Sequence, residues 1–239
     1  MKNVLLCLLF LTLIVACKKD SNNKIIGTYT TGATIQVDPP MMFTRNGMIH
    51  DLQLIKDFLQ RDTSFLGTRD TGFIFNQNTE VNKVNYSLDF RSNDTVYITD
   101  NITGIPTTRK YLQQRSGSEI VLSPVDSSWI ILNGTQPHDR FWFLSYKLEK
   151  NNTGQFSLYN VPAGSWAKAK YNTTLLNTNG NLVMPLTKSH FHLAGPSSSS
   201  YSIYWSNNSW LYLNMNIQNE LQAGDTLVVQ TKTINLLKQ

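Results

Sequence analysis

The sequence predicts an all-β protein, an antiparallel meander forming a barrel or sandwich, with one amphipathic helix near residues 48–61. Three observations predict this. Tyr86, Leu88 and Phe90 alternate with Ser87, Asp89 and Arg91, the period-2 signature of a half-buried strand. Short runs of that kind recur along the chain, separated by Asn, Ser, Gly and Pro clusters. One segment, by contrast, carries a helical period.

In chain order, Lys24 to Tyr29 opens the first strand, and Asp38-Pro39-Pro40 marks its exit because proline cannot continue a ladder. Residues 48–61 place Met48, Leu52, Ile55 and Leu59 at steps of three or four with polar residues opposite, predicting a helix packed over an open end or face of the sheet. The strand at 86–90 turns at Ser92-Asn93-Asp94 and returns through Val96 and Ile98. The same grammar pairs 109–114 with 119–123, and 201–205 with 210–217 across Ser206-Asn207-Asn208-Ser209. Further strands are expected at 128–132, 140–149, 155–160, 166–171, 182–187 and 226–234. The polar stretch Lys150 to Gly154 divides a region 24–149 from a region 150–239, which either joins the same sheet system or forms a second small β-sandwich.

The amino terminus has a separate logic. Lys2 precedes an apolar run from Val4 to Val15, and small Ala16 stands before Cys17, so residues 1–16 read as a secretory signal too short to span a bilayer comfortably. The junction Ile14-Val15-Ala16-Cys17 resembles a bacterial lipobox, which implies cleavage before Cys17 and lipidation of its sulfur. Acylation at two or more chains gives durable membrane attachment. Residues 17–23, polar throughout after Cys17, then act as a lipidated flexible tether. Cys17 followed by Lys18-Lys19-Asp20 is similar to the lipoprotein export signal of Bacteroidetes, which implies an outer-membrane lipoprotein exposed at the cell surface.

The chain carries 21 Lys and Arg against 16 Asp and Glu, with no basic run, so a nucleic-acid partner is not expected. With Cys7 in the discarded signal and Cys17 lipidated, no cysteine is left for catalysis, disulfides or a thiolate metal site. Lys24-Ile25-Ile26-Gly27-Thr28-Tyr29 resembles the opening strand of lipocalin-like domains, with Tyr29 in place of the family's Trp. That resemblance implies a cup-shaped barrel over residues 24–149 holding a small apolar or amphipathic ligand.

Candidate sites are few. On an expected strand at 210–217, Trp210, Tyr212, Asn214 and Asn216 share one face and Leu211, Leu213, Met215 and Ile217 the other. An aromatic and amide face suits saccharide recognition; equally, it packs against a second sheet. His190 and His192 flank Phe191 on one side of a strand, where two imidazoles need a third ligand to hold a metal, so an exposed polar face is expected and no metal site. Asp89 and Arg91 share a face as a solvated ion pair. Asp94-Thr95-Val96 and Asp225-Thr226-Leu227 resemble the Bacteroidetes O-glycosylation pattern, implying Thr95 and Thr226 as surface turn sites; Asp and Thr also open strands after turns.

No G-x-S-x-G, H-E-x-x-H or glycine-rich phosphate loop is present, and scattered carboxylates alone do not make a glycosidase. The expectation is a non-enzymatic, cofactor-free lipoprotein that binds a small amphipathic or saccharide ligand. The alternative is a structural or accessory surface component docking a partner protein, and a divergent hydrolase ranks third.

Overall fold

A computed structural model describes residues 25–62, 72–101, 104–125, 128–132, 138–153, 157–161, 164–194 and 200–239. The first half contains β1 (Gly27–Val37), β2 (Met41–Thr44), β3 (Gly47–Ile49), helix α1 (Leu52–Arg61), β4 (Thr79–Val81), β5 (Tyr86–Phe90), β6 (Thr95–Asp100), β7 (Thr107–Ser116) and β8 (Glu119–Pro124). The second contains β9 (Ser128–Leu132), helix α2 (His138–Leu148), β10 (Ser157–Val161), β11 (Gly164–Ala169), β12 (Thr173–Thr178), β13 (Asn181–Ala194), β14 (Ser200–Trp210), a 3₁₀ turn (Ile217–Glu220) and β15 (Thr226–Lys238).

Strands β1, β5, β6, β7, β8, β12, β13 and β15 pair antiparallel in that order, and β15 pairs with β1 to close the ring. The result is a closed, lipocalin-like antiparallel barrel. Its strands follow chain order once three insertions are set aside: β2–β4 with α1, β9–β11 with α2, and β14 with the 3₁₀ turn. The predicted alternation explains the wall. Leu88, Phe90, Val96, Ile98, Ile120 and Leu122 point inward from β5, β6 and β8, and meet Leu175, Met184 and Ile234 from the second half. Each such fully buried side chain contributes roughly 1.5–3 kcal/mol. The implied ligand cup is therefore occupied by the protein's own side chains.

Two strands outrun the barrel. Residues 183–192 of β13 pair with residues 235–226 of β15 along their whole length, and their distal halves add β14 on one side and β2 with β3 on the other. This outer layer is covered on both faces. Phe141, Leu144 and Leu148 of α2 pack on Phe191, Leu193, Leu227 and Val229, while Ile55 and Leu59 of α1 pack with Met42 and Val228. Helix α1 starts where Asp51 accepts from the Gln53 and Leu54 amides at 2.9 and 3.0 Å. At its other end β15 returns beside the start of the fold, with Lys238 opposite Tyr29 and the Gln239 amide donating to the Thr28 carbonyl at 2.9 Å. Gly27 stands there at φ +111°, and a Cβ would lie 3.1 Å from the Lys238 side chain.

Pro185 marks the place where one edge of β13 changes partner. Below it, residues 181–183 pair with β12; above it, Leu186 faces Trp210 of β14. Proline has no amide to give a ladder, and its carbonyl accepts from the Leu211 amide at 3.2 Å.

Four expectations are corrected. Residues 140–149 are not a strand: 138–148 form α2, whose Phe141, Leu144 and Leu148 are spaced for one helical face. Met48 lies in β3, so the helix begins four residues later than its apolar period suggested. Ser206-Asn207-Asn208-Ser209 is no hairpin turn: β14 runs through it, with Trp205 opposite Ser189 and Ser209 opposite Thr187, so the stretch forms a bulge. Finally, no strand continues from 211 to 217; Leu213 makes a single bridge to Glu149 and a turn follows into the 3₁₀ segment. The polar stretch at 150 is crossed by one sheet that draws strands from both sides, and β9, β10 and β11 form a separate three-stranded sheet.

Candidate functional site: a cleft at the barrel seam

The change of partner at Pro185 opens a cleft of about 300 Å³ between β12 and β14. Its floor is β13 at Thr187 and Ser189, one wall is the approach to β12 at Tyr171 and Thr173, and the other is the end of β14 at Trp210. Trp142 and Ser145 of α2 and the following Glu149 complete it. The β14 bulge immediately precedes Trp210, and bulges re-aim side chains of this kind. The Trp210 indole donates to the Thr174 carbonyl at 2.8 Å, bridging the seam, and its ring lies 5.4 Å from that of Tyr86.

Glu149 is the cleft's one carboxylate among the described residues and is 2% exposed. Three donors converge on it: the Thr174 hydroxyl at 2.8 Å and the Asn151 amide at 3.3 Å on Oε1, and the Tyr212 amide at 2.6 Å on Oε2. Burial outweighs these donors and pushes its pKa up to about 7. Beyond Thr174, the Asn151 side chain links Glu149 to Glu119, which pairs with Lys150.

Two hydroxyls in the cleft have no such partner. Tyr171 OH and Thr173 Oγ1 are both buried and, among the described residues, make no hydrogen bond. Buried polar groups are normally satisfied, so two such orphans on residues that line one cavity are hydrogen-bonding capacity left unused by the described fold. Burial, reinforced by Tyr146, raises the Tyr171 pKa, so that hydroxyl keeps its proton. The cleft amides are committed elsewhere. Asn152 donates to the Tyr146 carbonyl and accepts from the Asn172 amide, and Asn172 donates to the Asn151 carbonyl and accepts from Ser123.

The sequence-predicted face at 210–217 comes apart. Trp210 is in the cleft, but Tyr212 presents its ring to the Lys150 ammonium 5.1 Å away. Asn214 donates to the Lys147 carbonyl and accepts from the Asn216 amide, and Asn216 precedes the 3₁₀ turn, so both asparagines organise backbone. Without a continuous strand the four residues do not share a face.

His190 and His192 share a side of β13, as expected, but not an exposed one. Both bond Asp62 at the end of α1, His190 Nε2 at 2.7 Å and His192 Nδ1 at 3.0 Å, with the Phe58 ring edge-on to each. Helix α1 thus brings the Asp62 carboxylate to both imidazoles. Among the described residues no group of three or more side chains is arranged to hold a metal. The Asp89–Arg91 pair is exposed at 2.7 Å, with Arg91 lying 4.2 Å over the Tyr97 ring.

Thr95 begins β6, next to an Asp94 whose pKa is lowered chiefly by the Ser92 hydroxyl. Thr226 is half-buried and opens a strand just after the Ala223-Gly224 turn. It begins β15 between β13 and β2, and its neighbour Asp225 is buried, accepting from Arg140, from the Ala194 amide at 3.0 Å and from the Gln222 amide at 2.7 Å. Cys17 and the expected signal, residues 1–16, lie outside the described residues. The sequence reading missed Trp142, Glu149, Tyr171 and Thr173; a lone acid in the aromatic run 140–149 was the one local sign. No protein-family model, curated protein or solved structure matches this chain.

Proposed function

We propose that this chain is an exported, lipid-anchored binding module of the cell envelope, attached through Cys17 to the outer membrane and holding a small amphipathic or saccharide ligand in the seam cleft. The observation that carries the reading is the coincidence, on residues lining one cavity, of aromatic rings with two hydroxyls that have no partner among the described residues. Its volume lies at the lower end of ligand pockets, which span roughly 300–1,000 Å³, so it suits one ring-sized group. Aromatic rings cover the apolar face of such a group while hydroxyls fix its orientation. Binding rather than turnover is favoured because Glu149 already accepts three hydrogen bonds and no second carboxylate lines the cleft among the described residues.

The test is a tryptophan-fluorescence screen of the purified protein against monosaccharides, disaccharides and short-chain amphiphiles. A hit should lose about tenfold or more in affinity with Trp210→Ala, the loss expected when an aromatic contact worth over 1 kcal/mol is removed. A panel without hits, or hits indifferent to both Trp210→Ala and Trp142→Ala, overturns the proposal.

A further inference from the structure

We propose that the seam cleft takes a small organic ammonium, its cationic group resting against the Trp142, Trp210 and Tyr171 rings and balanced by the Glu149 carboxylate. This rests on the reading of the cleft as a binding site and narrows its ligand class.

The charge around Glu149 is the first support. Two backbone amides and one hydroxyl point donors at its two oxygens, an arrangement that stabilises the ionised form. Yet no Lys, Arg or His lines the cleft among the described residues. Of the charged groups nearby, Glu119 of β8 and Lys150 neutralise each other, and the Lys150 ammonium also sits over the Tyr212 ring. Tyr171 and Tyr212, the titratable hydroxyls nearest the cleft, supply no positive charge. Glu149 is thus hydrogen-bonded as a carboxylate but makes no ion pair among the described residues; Lys150, to which it is coupled electrostatically, is taken by Glu119, and a buried carboxylate in that state is driven toward protonation. A cation in the cleft would supply what the protein withholds.

The walls are the second support. Ring faces attract ammonium groups through their quadrupole, most strongly when water is excluded, and Trp is the best of the three aromatic types. Two Trp and one Tyr border a single cavity whose nearest charge is negative. An anionic ligand would face both the rings and Glu149 without a cation to meet it. A neutral sugar would use the hydroxyls but leave the carboxylate unbalanced.

The experiment is isothermal titration of the purified full chain with choline, its uncharged isostere 3,3-dimethylbutan-1-ol, and methyl β-glucoside. Choline should bind at least about tenfold tighter than the isostere at a pH about one unit above the Glu149 pKa. Because choline prefers the ionised carboxyl, its affinity should rise about tenfold from one unit below that pKa to the plateau above it, with proton release on binding, while the isostere stays flat. Glu149→Gln should bring the choline-to-isostere ratio close to one; if that variant does not fold, the wild-type ratio and pH profile decide. Equal affinities for choline and isostere, a flat choline profile, or no choline binding overturns the ammonium assignment. If a neutral probe still binds in a Trp210-dependent manner, the binding-module reading survives that failure; if no probe of any class binds, both fall.

Discussion

Replacing Glu149 by Gln should remove a distinct pH dependence from the stability of the fold. Burial raises this carboxyl from 4.5 to about 7 in the folded protein. The folded state therefore holds the proton more tightly than the unfolded chain does. Its stabilising contribution is fully present below the unfolded value of 4.5 and is lost as pH rises through the folded value near 7. The gap between the two values corresponds to about 3 kcal/mol. Gln keeps the shape and carries no charge, but turns an amide toward the donors of Tyr212, Asn151 and Thr174. That mismatch costs about 1–3 kcal/mol at every pH. The variant should thus be less stable than wild type in acid, with the deficit shrinking or reversing above neutrality. Urea unfolding followed by tryptophan emission, in steps across this range, reads the difference directly. A variant-minus-wild-type difference constant to within about 0.5 kcal/mol from acid to mildly alkaline pH would refute the reasoning.

Two further outcomes are expected. Tyr171→Phe deletes a buried hydroxyl that has no partner among the described residues, so thermal unfolding should show stability unchanged or raised by up to about 1 kcal/mol, while any ligand found in the screen binds several-fold more weakly. Cys17→Ala should abolish fatty-acid labelling and release the chain from the membrane fraction; undiminished acyl labelling would contradict the anchor.

The barrel was legible where alternation was clean. The hairpin of β5 and β6 was plain because Leu88 and Phe90 face Ile98 and Val96 across one inward surface, and the pairing of β7 with β8 followed from the same strand-turn-strand grammar. Helix α2 was not, because Phe141, Trp142, Phe143, Leu144, Tyr146 and Leu148 populate every side of it. Part faces the outer layer, while Tyr146 meets Tyr171 on another side, so no single apolar stripe stands out. The bulge in β14 was misread for a related reason: Ser and Asn signal a departure from regular pairing, but not whether the chain reverses or continues. Only Trp210 of the cleft was visible in advance. The rest depends on the meeting of α2, β12 and β14 at Pro185, segments far apart in the chain, and the burial of Glu149 exists only once they meet.

If the chain is held through Cys17 as proposed, the length of β15 would set a stand-off from the bilayer. Lys238 lies beside Tyr29, near the start of the described fold, where the proposed tether would join it, and Thr226 is at the other end of the strand. At roughly 3.3 Å per residue, the outer layer ends about 40 Å along the strand from the tether, and the cleft floor, level with Thr231, about 23 Å from it. Residues 17–23 add up to about 24 Å when extended. A chain held by Cys17 would thus carry its cleft clear of lipid headgroups and expose its helix-covered end to the medium, so that solutes, not bilayer lipids, have the shorter path to Trp210.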